Sequence, residues 1–147
     1  MAEPTSELVF LADRSEADWT RLLDHTETLR FSAGDVVIRA GHRDRSLYIV
    51  TSGELEVLLP GSAGEERHFT TIGSRSVTGE MAFIDGRPRS ATIRARSDGE
   101  LARLSFEQYE VLAARYPELG RAIVLDVARI LAARLRETNE ALERTGW

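Results

Sequence analysis

The sequence contains no cysteine and no lysine, and only three of its 147 residues are histidine. The absence of cysteine excludes disulfides, thiolate metal sites and cysteine nucleophiles, and it leaves the redox compartment open. All 19 basic residues are arginine, and 24 acidic residues bring the formal net charge to -5. This acidic balance provides no bulk basic field for binding nucleic acid directly. Because lysine occurs nowhere in the chain, arginine at any single position is a weak indication of function.

Long apolar runs are missing as well. No segment approaches the roughly 20 apolar residues that a membrane span requires, and the polar, acidic start Met1–Glu7 is unlike a secretory signal. The chain is 42% hydrophobic and 29% charged, which is typical of a globular rather than a disordered protein. Its length suits one domain better than two. We therefore expect a single soluble, cytoplasmic domain over residues 1–147.

Helix signals occur at both ends of the chain. Ser15-Glu16-Ala17-Asp18 is similar to a capping box and predicts a helix over about residues 15–24. We expect the apolar patch Val9-Phe10-Leu11 before it to pack under the domain. A second capping box at Ser105-Phe106-Glu107-Gln108 opens a helical region over about residues 105–144. Within that region, Pro117 suits the first position of a second, longer helix.

Between these helices the apolar residues follow a different period. Leu55, Val57 and Leu59 alternate with polar residues, which is typical of a strand with one buried face. Glycine and aspartate separate short runs of this kind, and the predicted strands are Leu29–Phe31, Val36–Arg39, Ser46–Val50, Glu54–Leu59, Arg67–Ile72, Ser90–Arg96 and Glu100–Leu104. Such spacing predicts a β-roll or jelly-roll barrel over about residues 29–104. The fold class is therefore mainly β, with an N-terminal helix and a C-terminal helical hinge plus long helix.

The long C-terminal helix carries an apolar stripe. Its members are Leu119, Ile123, Val127, Ile130, Leu131, Leu135 and Leu142. A stripe of this kind suits either core packing against the roll or the seam of a homodimer, and its spacing does not separate the two.

One segment, residues 78–91, interrupts the strand pattern. Gly79 permits close approach of another group or a positive φ, and Met81–Ile84 is long enough for one helical turn with free N–H groups at its start. Arg89-Ser90-Ala91 then offers a guanidinium, a hydroxyl and a backbone N–H, which together suit one phosphate. Glu80 would repel a phosphate, so we expect it to face a neutral donor such as a sugar hydroxyl. The segment predicts a nucleotide-binding site.

This segment resembles the phosphate-binding cassette of the cyclic-nucleotide-binding domain family, which includes catabolite-activator-like effector domains. The resemblance rests on Gly79-Glu80, the short helix that follows, and Arg89-Ser90-Ala91. The segments Phe31–Gly41 and Leu47–Val57 are similar to the family's first strand pairs and turn glycines, so the resemblance covers about residues 10–142.

The resemblance implies a role for the cassette residues. Arg89 would pair with the cyclic phosphate, Ser90 would hydrogen-bond to it, and the Ala91 N–H would complete the cradle. Gly79 would allow close approach, and Glu80 would accept a hydrogen bond from the ribose 2′-hydroxyl. The ligand-binding residues predicted here are Gly79, Glu80, Met81, Ala82, Arg89, Ser90 and Ala91.

The purine would meet residues outside the cassette. On the strands, Val57, Phe69 and Ile72 match the family's purine pocket. Serine at position 90, rather than threonine, resembles members that favour cAMP over cGMP. Both nucleotides are candidate ligands, with cAMP the first choice.

The long helix often covers the purine in this family. Arg134, Thr138 and Asn139 are the residues that could reach the base edge. Counting from the cassette favours Arg134, whereas the local sequence favours Thr138 and Asn139, and the register stays open. Trp147 either stacks on the base or belongs to a frayed end.

Two positions depart from the family's pattern. Thr78 stands where members usually have an aromatic or apolar residue, and Arg75 stands where they usually have a turn glycine. We expect these changes to reshape the loop before the cassette and to leave the phosphate ligands in place.

These observations predict a regulatory sensor, not an enzyme, which binds a cyclic nucleotide and moves its C-terminal helix in response. No cofactor or metal is expected, and an effector protein would be fused or associated. One alternative is the effector domain of a transcription regulator, truncated before its DNA-binding part. A cupin-like metalloenzyme is disfavoured, because His25, His42 and His68 are scattered and lack the spacing of metal ligands.

Overall fold

Two four-stranded antiparallel sheets and four helices make up residues 8–144, the part of the chain that the computed structural model describes. In chain order the elements are α1 (Glu16–Leu23), β1 (Glu27–Phe31), β2 (Val36–Ile38), β3 (Ser46–Ser52), β4 (Leu55–Pro60), β5 (Glu66–Ile72), β6 (Val77–Thr78), α2 (Glu80–Asp85), β7 (Thr92–Ala95), β8 (Gly99–Ser105), α3 (Phe106–Arg115) and α4 (Pro117–Arg144). The strand orders are β1-β8-β3-β6 and β2-β7-β4-β5. The predicted fold class, a β-roll with flanking helices, is confirmed.

The apolar side chains form two cores, one on each face of the first sheet. Leu47 and Ile49 of β3 pack with residues of all four helices. Tyr48 and Val50 face the opposite way, into a core that the two sheets share. Because successive side chains of a strand point to opposite faces, a strand covered on both sides is apolar at consecutive positions. This explains why Leu47–Val50 lacks the alternation seen in β4.

The helix starts follow the capping signals in the sequence. The Ser15 hydroxyl accepts a hydrogen bond from the Asp18 N–H at 3.2 Å, and the Ser105 hydroxyl accepts one from the Gln108 N–H at 3.1 Å. Each bond satisfies a backbone donor that the first helical turn leaves free. Phe10 and Leu11, before α1, are buried as expected, and Leu11 donates its N–H to the Asp126 carboxylate of α4 at 2.6 Å.

The apolar stripe of α4 divides into a buried and an exposed part. Leu119, Ile123, Val127 and Ile130 lie in the core. Leu135, by contrast, is 62% exposed and Leu142 is 45% exposed. The first part of the stripe is therefore core packing, and the second extends beyond the roll. Among residues 8–144, no helix combines the length and apolar character needed to cross a bilayer.

The observed strands lie within two residues of the predicted ones, apart from β6, which the sequence pattern did not indicate. Val77 and Thr78 form this strand by pairing with Ile49 and Tyr48 of β3. Two residues are too few for a periodic signal, so only the neighbouring strand defines this element. The pairing places the start of the cassette at the edge of the first sheet.

Arg75 adopts a left-handed backbone conformation, with φ at 70°. This is the position at which the sequence departs from the turn glycine of the similar family. The residue is held there by two backbone bonds, because its N–H donates to Val50 at 2.7 Å and its carbonyl accepts from Phe10 at 2.8 Å. The chain therefore keeps the turn and carries the strain of a side chain in this region.

We expect Arg75→Gly to stabilise the fold by about 1 kcal/mol, because glycine adopts this φ without the steric cost. The free energy of unfolding measured by urea denaturation checks this. Arg67→Gly, at an exposed strand position, is the matched control and should be destabilising. An Arg75→Gly protein less stable than wild type would contradict the strain argument.

Candidate functional site

The cassette connects β6 of the first sheet to β7 of the second. Gly79, with φ at 79°, begins α2, and Gly86, with φ at 70°, ends it. The helix turns Ala82 and Phe83 into the protein, and the Phe83 ring meets the Tyr109 ring edge-on at 5.5 Å. Both glycines supply the left-handed conformation that a tight helix boundary requires. The expected single helical turn is present, and it packs against α3.

Arg45 fixes the far end of the cassette helix. Its Nε donates to the Phe83 carbonyl and its Nη2 to the Ile84 carbonyl, both at 2.9 Å. These carbonyls lie at the C-terminal end of α2, where no helical N–H remains to pair with them. The same guanidinium lies over the Phe106 ring, with Cζ 3.6 Å from the ring centre. No signal in the sequence indicated this role of Arg45.

Arg89 is buried, with 5% of its surface exposed. Its Nη1 donates to the Gly79 carbonyl at 2.8 Å, and its Nη2 donates to the Ser46 carbonyl at 2.9 Å. These bonds join the two ends of the cassette and tie them to β3. The remaining donor, Nε, is buried and has no hydrogen-bond partner within residues 8–144. A buried guanidinium N–H without an acceptor is costly, so this donor suits an incoming anion.

A carboxylate lies behind Arg89. Oδ2 of Asp44 is 3.4 Å from the Arg89 Nη2. The same carboxylate accepts hydrogen bonds on Oδ1 from Ser46 Oγ at 2.8 Å and from Arg103 Nη2 at 3.1 Å, and on Oδ2 from the Tyr48 hydroxyl. Burial raises the pKa of this carboxyl group, but the hydrogen bonds it accepts outweigh burial and lower its pKa to about 2. Asp44 is thus an anion at all ordinary pH values.

Glu80 faces the long C-terminal helix. Only 8% of this residue is exposed, and its Oε1 accepts a hydrogen bond from Arg134 Nη1 at 2.5 Å. Arg134 Nη2 also donates to the Val77 carbonyl at 2.7 Å. The structure therefore brings Arg134 to the cassette carboxylate. The second carboxylate oxygen of Glu80 accepts no hydrogen bond from the described part of the chain.

The other predicted cassette residues lie nearer the surface. Ser90 is exposed, and its Oγ is 3.9 Å from the Met81 sulfur across the opening of the cassette. Met81 is also exposed, and Ala91 is half-buried immediately before β7. Ala82 is turned into the protein instead. The exposed hydroxyl of Ser90 and the buried guanidinium of Arg89 thus come from consecutive residues on one side of the loop.

The strands predicted to hold a purine lie beside the cassette. β7 pairs with β4, placing Leu58 opposite Thr92 and Val57 opposite Ile93. Phe69 falls at a bulge in β5 and is 52% exposed, whereas Ile72 is buried in the core that the two sheets share. Val57 and Phe69 are therefore the purine-pocket candidates with accessible surface.

The remaining helix candidates lie beyond Arg134. Thr138 donates its hydroxyl to the Arg134 carbonyl at 3.0 Å, one turn further along α4. Asn139 is exposed. Neither has a side-chain hydrogen bond to the cassette in this structure. Trp147 lies outside the described residues.

Four residues of this site were not identified from the sequence: Asp44, Arg45, Tyr48 and Arg103. Asp44 and Arg45 lie in a polar loop, and the spacing of that loop says nothing about its partners. Arg103 lies on β8 between the buried residues Ala102 and Leu104, so its alternation predicted only that it faces away from their core. The pairing of β3 with β8 brings positions 44 and 103 together. This contact is long-range, so no local feature of the sequence relates the two positions.

The rest of the described residues offers weaker candidates for a functional site. A cavity of about 210 Å³ opens beside β1 and β2, lined mainly by apolar residues such as Leu29, Phe31 and Leu101. It contains none of the predicted site residues, and β1 lies at the edge of the first sheet opposite β6. No cluster of three or more His, Asp or Glu side chains placed to hold a metal ion occurs among residues 8–144.

The cassette of this β-roll thus brings together a buried arginine, an exposed serine and a carboxylate at the start of a short helix. The model of the family described as cyclic nucleotide-binding domain matches residues 28–116, which is more than half of the chain. The chain belongs to this family, as its cassette predicted.

The known proteins that this chain resembles are longer than the chain itself. The chain is 37% identical over 84 residues to a cAMP-dependent protein kinase regulatory subunit of Blastocladiella emersonii, covering 57% of this chain and 21% of that protein. It is 30% identical over 137 residues to a lysophospholipase of Aspergillus oryzae, covering 90% of this chain and 9% of that protein. The crystal structure of the Thermus thermophilus catabolite activator protein matches with a TM-score of 0.80 and 28% identity, covering 95% of this chain and 63% of that one. The chain thus spans less than two thirds of each of these proteins.

We expect Gly79→Ala to destabilise the protein by at least about 2 kcal/mol. A Cβ at this position would lie 2.5 Å from the Arg89 Nη1 and 3.0 Å from the Ser46 carbonyl oxygen, and φ is positive. Gly34→Ala is the matched control, because Gly34 has φ at 93° with nothing within 4 Å. That control should lose only about 1 kcal/mol of backbone strain. Equal losses in urea unfolding would show that the contact with Arg89 contributes nothing.

Proposed function

We propose that this chain is a regulatory sensor that binds cAMP and performs no catalysis of its own. The observation that carries the proposal is the Arg89 guanidinium, which is buried in the cassette with an unpaired Nε. A cyclic phosphodiester carries one negative charge and offers oxygen acceptors, so it satisfies both the charge and the missing hydrogen bond. The names of the relatives support cAMP as the nucleotide, since one of them regulates a cAMP-dependent kinase.

The phosphate would take its contacts from adjacent residues. Arg89 Nε would donate to one oxygen, and the exposed Ser90 hydroxyl would donate to another. The Ala91 N–H, at the start of β7, would complete the set. Because the Arg89 Nε is buried, the groups that cover it would have to move to admit the ligand. Val57 and Phe69 would then contact the purine from the neighbouring strands.

Glu80 would link the ligand to the C-terminal helix. Its Oε1 is already bonded to Arg134 of α4, and its second oxygen is free to accept the ribose 2′-hydroxyl. A ligand bond on one oxygen of this carboxylate changes the position or strength of the bond on the other. The equilibrium of α4 between conformations would therefore shift with ligand occupancy, which is how a binding module acts as a sensor. Thr138 and Asn139, further along α4, would meet the base if the helix closes over it.

The output of the sensor depends on what α4 contacts. Leu135 is exposed beyond the part of the helix that packs on the core. This surface suits a homodimer seam or a fused or associated effector protein. The effector domain of a transcription regulator is the second candidate, favoured by the similarity to the catabolite activator protein over 95% of this chain.

Isothermal titration of the chain with cAMP tests the proposal, and Arg89→Ala is the decisive variant. We expect it to weaken binding by about 3–5 kcal/mol, at least about 100-fold, because the phosphate would be buried without a counter-charge. Arg87→Ala removes the same charge from an exposed position two residues away and should bind cAMP normally. Thermal unfolding of both variants establishes that they are folded. Near-native affinity in Arg89→Ala, or no binding by the wild type, would refute the assignment.

Nucleotide preference depends on position 90 in this proposal. Ser90→Thr keeps the hydroxyl for the phosphate but holds it in a narrower set of rotamers. Guanine carries an amine at C2, where adenine has only hydrogen, and one added hydrogen bond is worth about 0.5–1.5 kcal/mol. We expect the affinity for cGMP relative to cAMP to rise about three- to tenfold. Competition binding with both nucleotides measures the ratio, and an unchanged ratio would exclude Ser90 as a determinant of preference.

A further inference from the structure

The Asp44 carboxylate lies between two guanidinium groups. Toward the cassette, its Oδ2 is 3.4 Å from Arg89 Nη2. Away from the cassette, its Oδ1 is 3.1 Å from Arg103 Nη2. The Arg89 side chain is 3% exposed and the Arg103 side chain is 32% exposed. One carboxylate is thus shared by a buried arginine of the cassette and a partly exposed arginine of β8.

This sharing affects the phosphate site through charge. A ligand phosphate and the Asp44 carboxylate are both anions, and both are attracted to Arg89. The carboxylate is therefore an internal competitor of the ligand. Two hydroxyls, from Ser46 and Tyr48, and the Arg103 guanidinium hold this carboxylate by hydrogen bonds, whereas its distance to Arg89 is the longest of the set that the structure gives.

Arg103 also determines the net charge of the group that it forms with Asp44 and Arg89. With it, two arginines and one aspartate leave one positive charge, which matches the single negative charge of a cyclic phosphodiester. Without it, Asp44 and Arg89 neutralise each other. Charge interactions over distances of this size are substantial in a partly buried site, because water screens them less than at the surface.

We propose that Arg103 is a positioning residue that sets the phosphate affinity of the cassette without contacting the ligand, by drawing Asp44 away from Arg89. This inference rests on the proposed function, because it concerns the same site. It assigns a role to a residue on β8, opposite Tyr48 in the β3–β8 pairing, that neither the cassette pattern nor the family match identifies. Each residue has a definite role in this proposal. Asp44 weakens phosphate binding by attracting Arg89, and Arg103 reduces that attraction.

The test is the binding of cAMP to four variants of the chain, measured by titration calorimetry. Arg103→Gln should weaken binding about tenfold, and Arg103→Lys, which keeps the charge, should restore most of the lost affinity. Asp44→Asn should bind at least as tightly as wild type, because its neutral amide lacks the negative charge that competes with the phosphate for Arg89. In the double variant with both Arg103→Gln and Asp44→Asn, the loss caused by Arg103→Gln should disappear, since the two residues act in series.

Arg30→Gln provides the matched control. Arg30 lies on β1 of the same sheet and forms an exposed ion pair with Glu100, so the variant makes the same change in net charge at a residue that does not contact Asp44. It should bind cAMP as the wild type does. Thermal unfolding should place every variant in the folded state at the temperature of titration.

The outcomes separate the two proposals. No binding by the wild type refutes the proposed function itself. Wild-type binding with an unaffected Arg103→Gln, or a loss equal to that of Arg30→Gln, overturns only the role of Arg103. Weakened binding by Asp44→Asn, or a loss in the double variant as large as in Arg103→Gln alone, overturns the competition between Asp44 and the ligand. If Arg103→Gln is unfolded, the affinities of Arg103→Lys and Asp44→Asn are compared with that of the wild type instead. Binding close to or tighter than wild type in both supports the proposal, and weakened binding by Asp44→Asn overturns it.

Discussion

The site depends on one interaction, the burial of the Arg89 guanidinium between the backbone carbonyls of Gly79 and Ser46. A buried cation is tolerated only when acceptors surround it, and these carbonyls belong to the cassette and to β3. The two bonds therefore define both the shape of the loop and its position on the sheet. Glycine at position 79 leaves room for the guanidinium, because a Cβ there would occupy the same space.

A second interaction joins this site to the rest of the fold. Glu80 lies at the start of α2, next to the carbonyl that holds Arg89, and it is bonded to Arg134 of α4. The buried residues Ile123, Val127 and Ile130 hold the preceding turns of α4 on the core. The helix is thus anchored along one part and attached to the cassette by a polar contact at its edge. Polar contacts of this kind change with ligand occupancy more readily than a packed apolar core does.

Environment, rather than residue type, distinguishes the arginines. All 19 cations of this acidic chain are arginine, and several, such as Arg94 beside Glu56 and Arg129 beside Asp126, form ion pairs on the surface. Exposed pairs contribute little, because water and salt screen them. Arg89 differs because it is buried, and Arg134 because it reaches a buried carboxylate. Composition alone could not select these two, whereas the frame of Gly79, Glu80 and Ser90 selected Arg89 as the candidate phosphate ligand.

The sequence by itself determined the features that depend on neighbouring residues: the period of two in the strands, the serine caps of α1 and α3, the proline that begins α4, and the ordered residues of the cassette. Tertiary structure alone decided which distant side chains meet, such as Arg134 with Glu80, 54 positions apart, and Arg103 with Asp44, 59 positions apart. It also produced β6 and the left-handed Arg75. Caps and periodicity arise from hydrogen bonds and side-chain directions within a few residues, which any stretch of sequence displays. Contacts between elements arise from strand register and helix placement, and these are set by the packing of two whole cores.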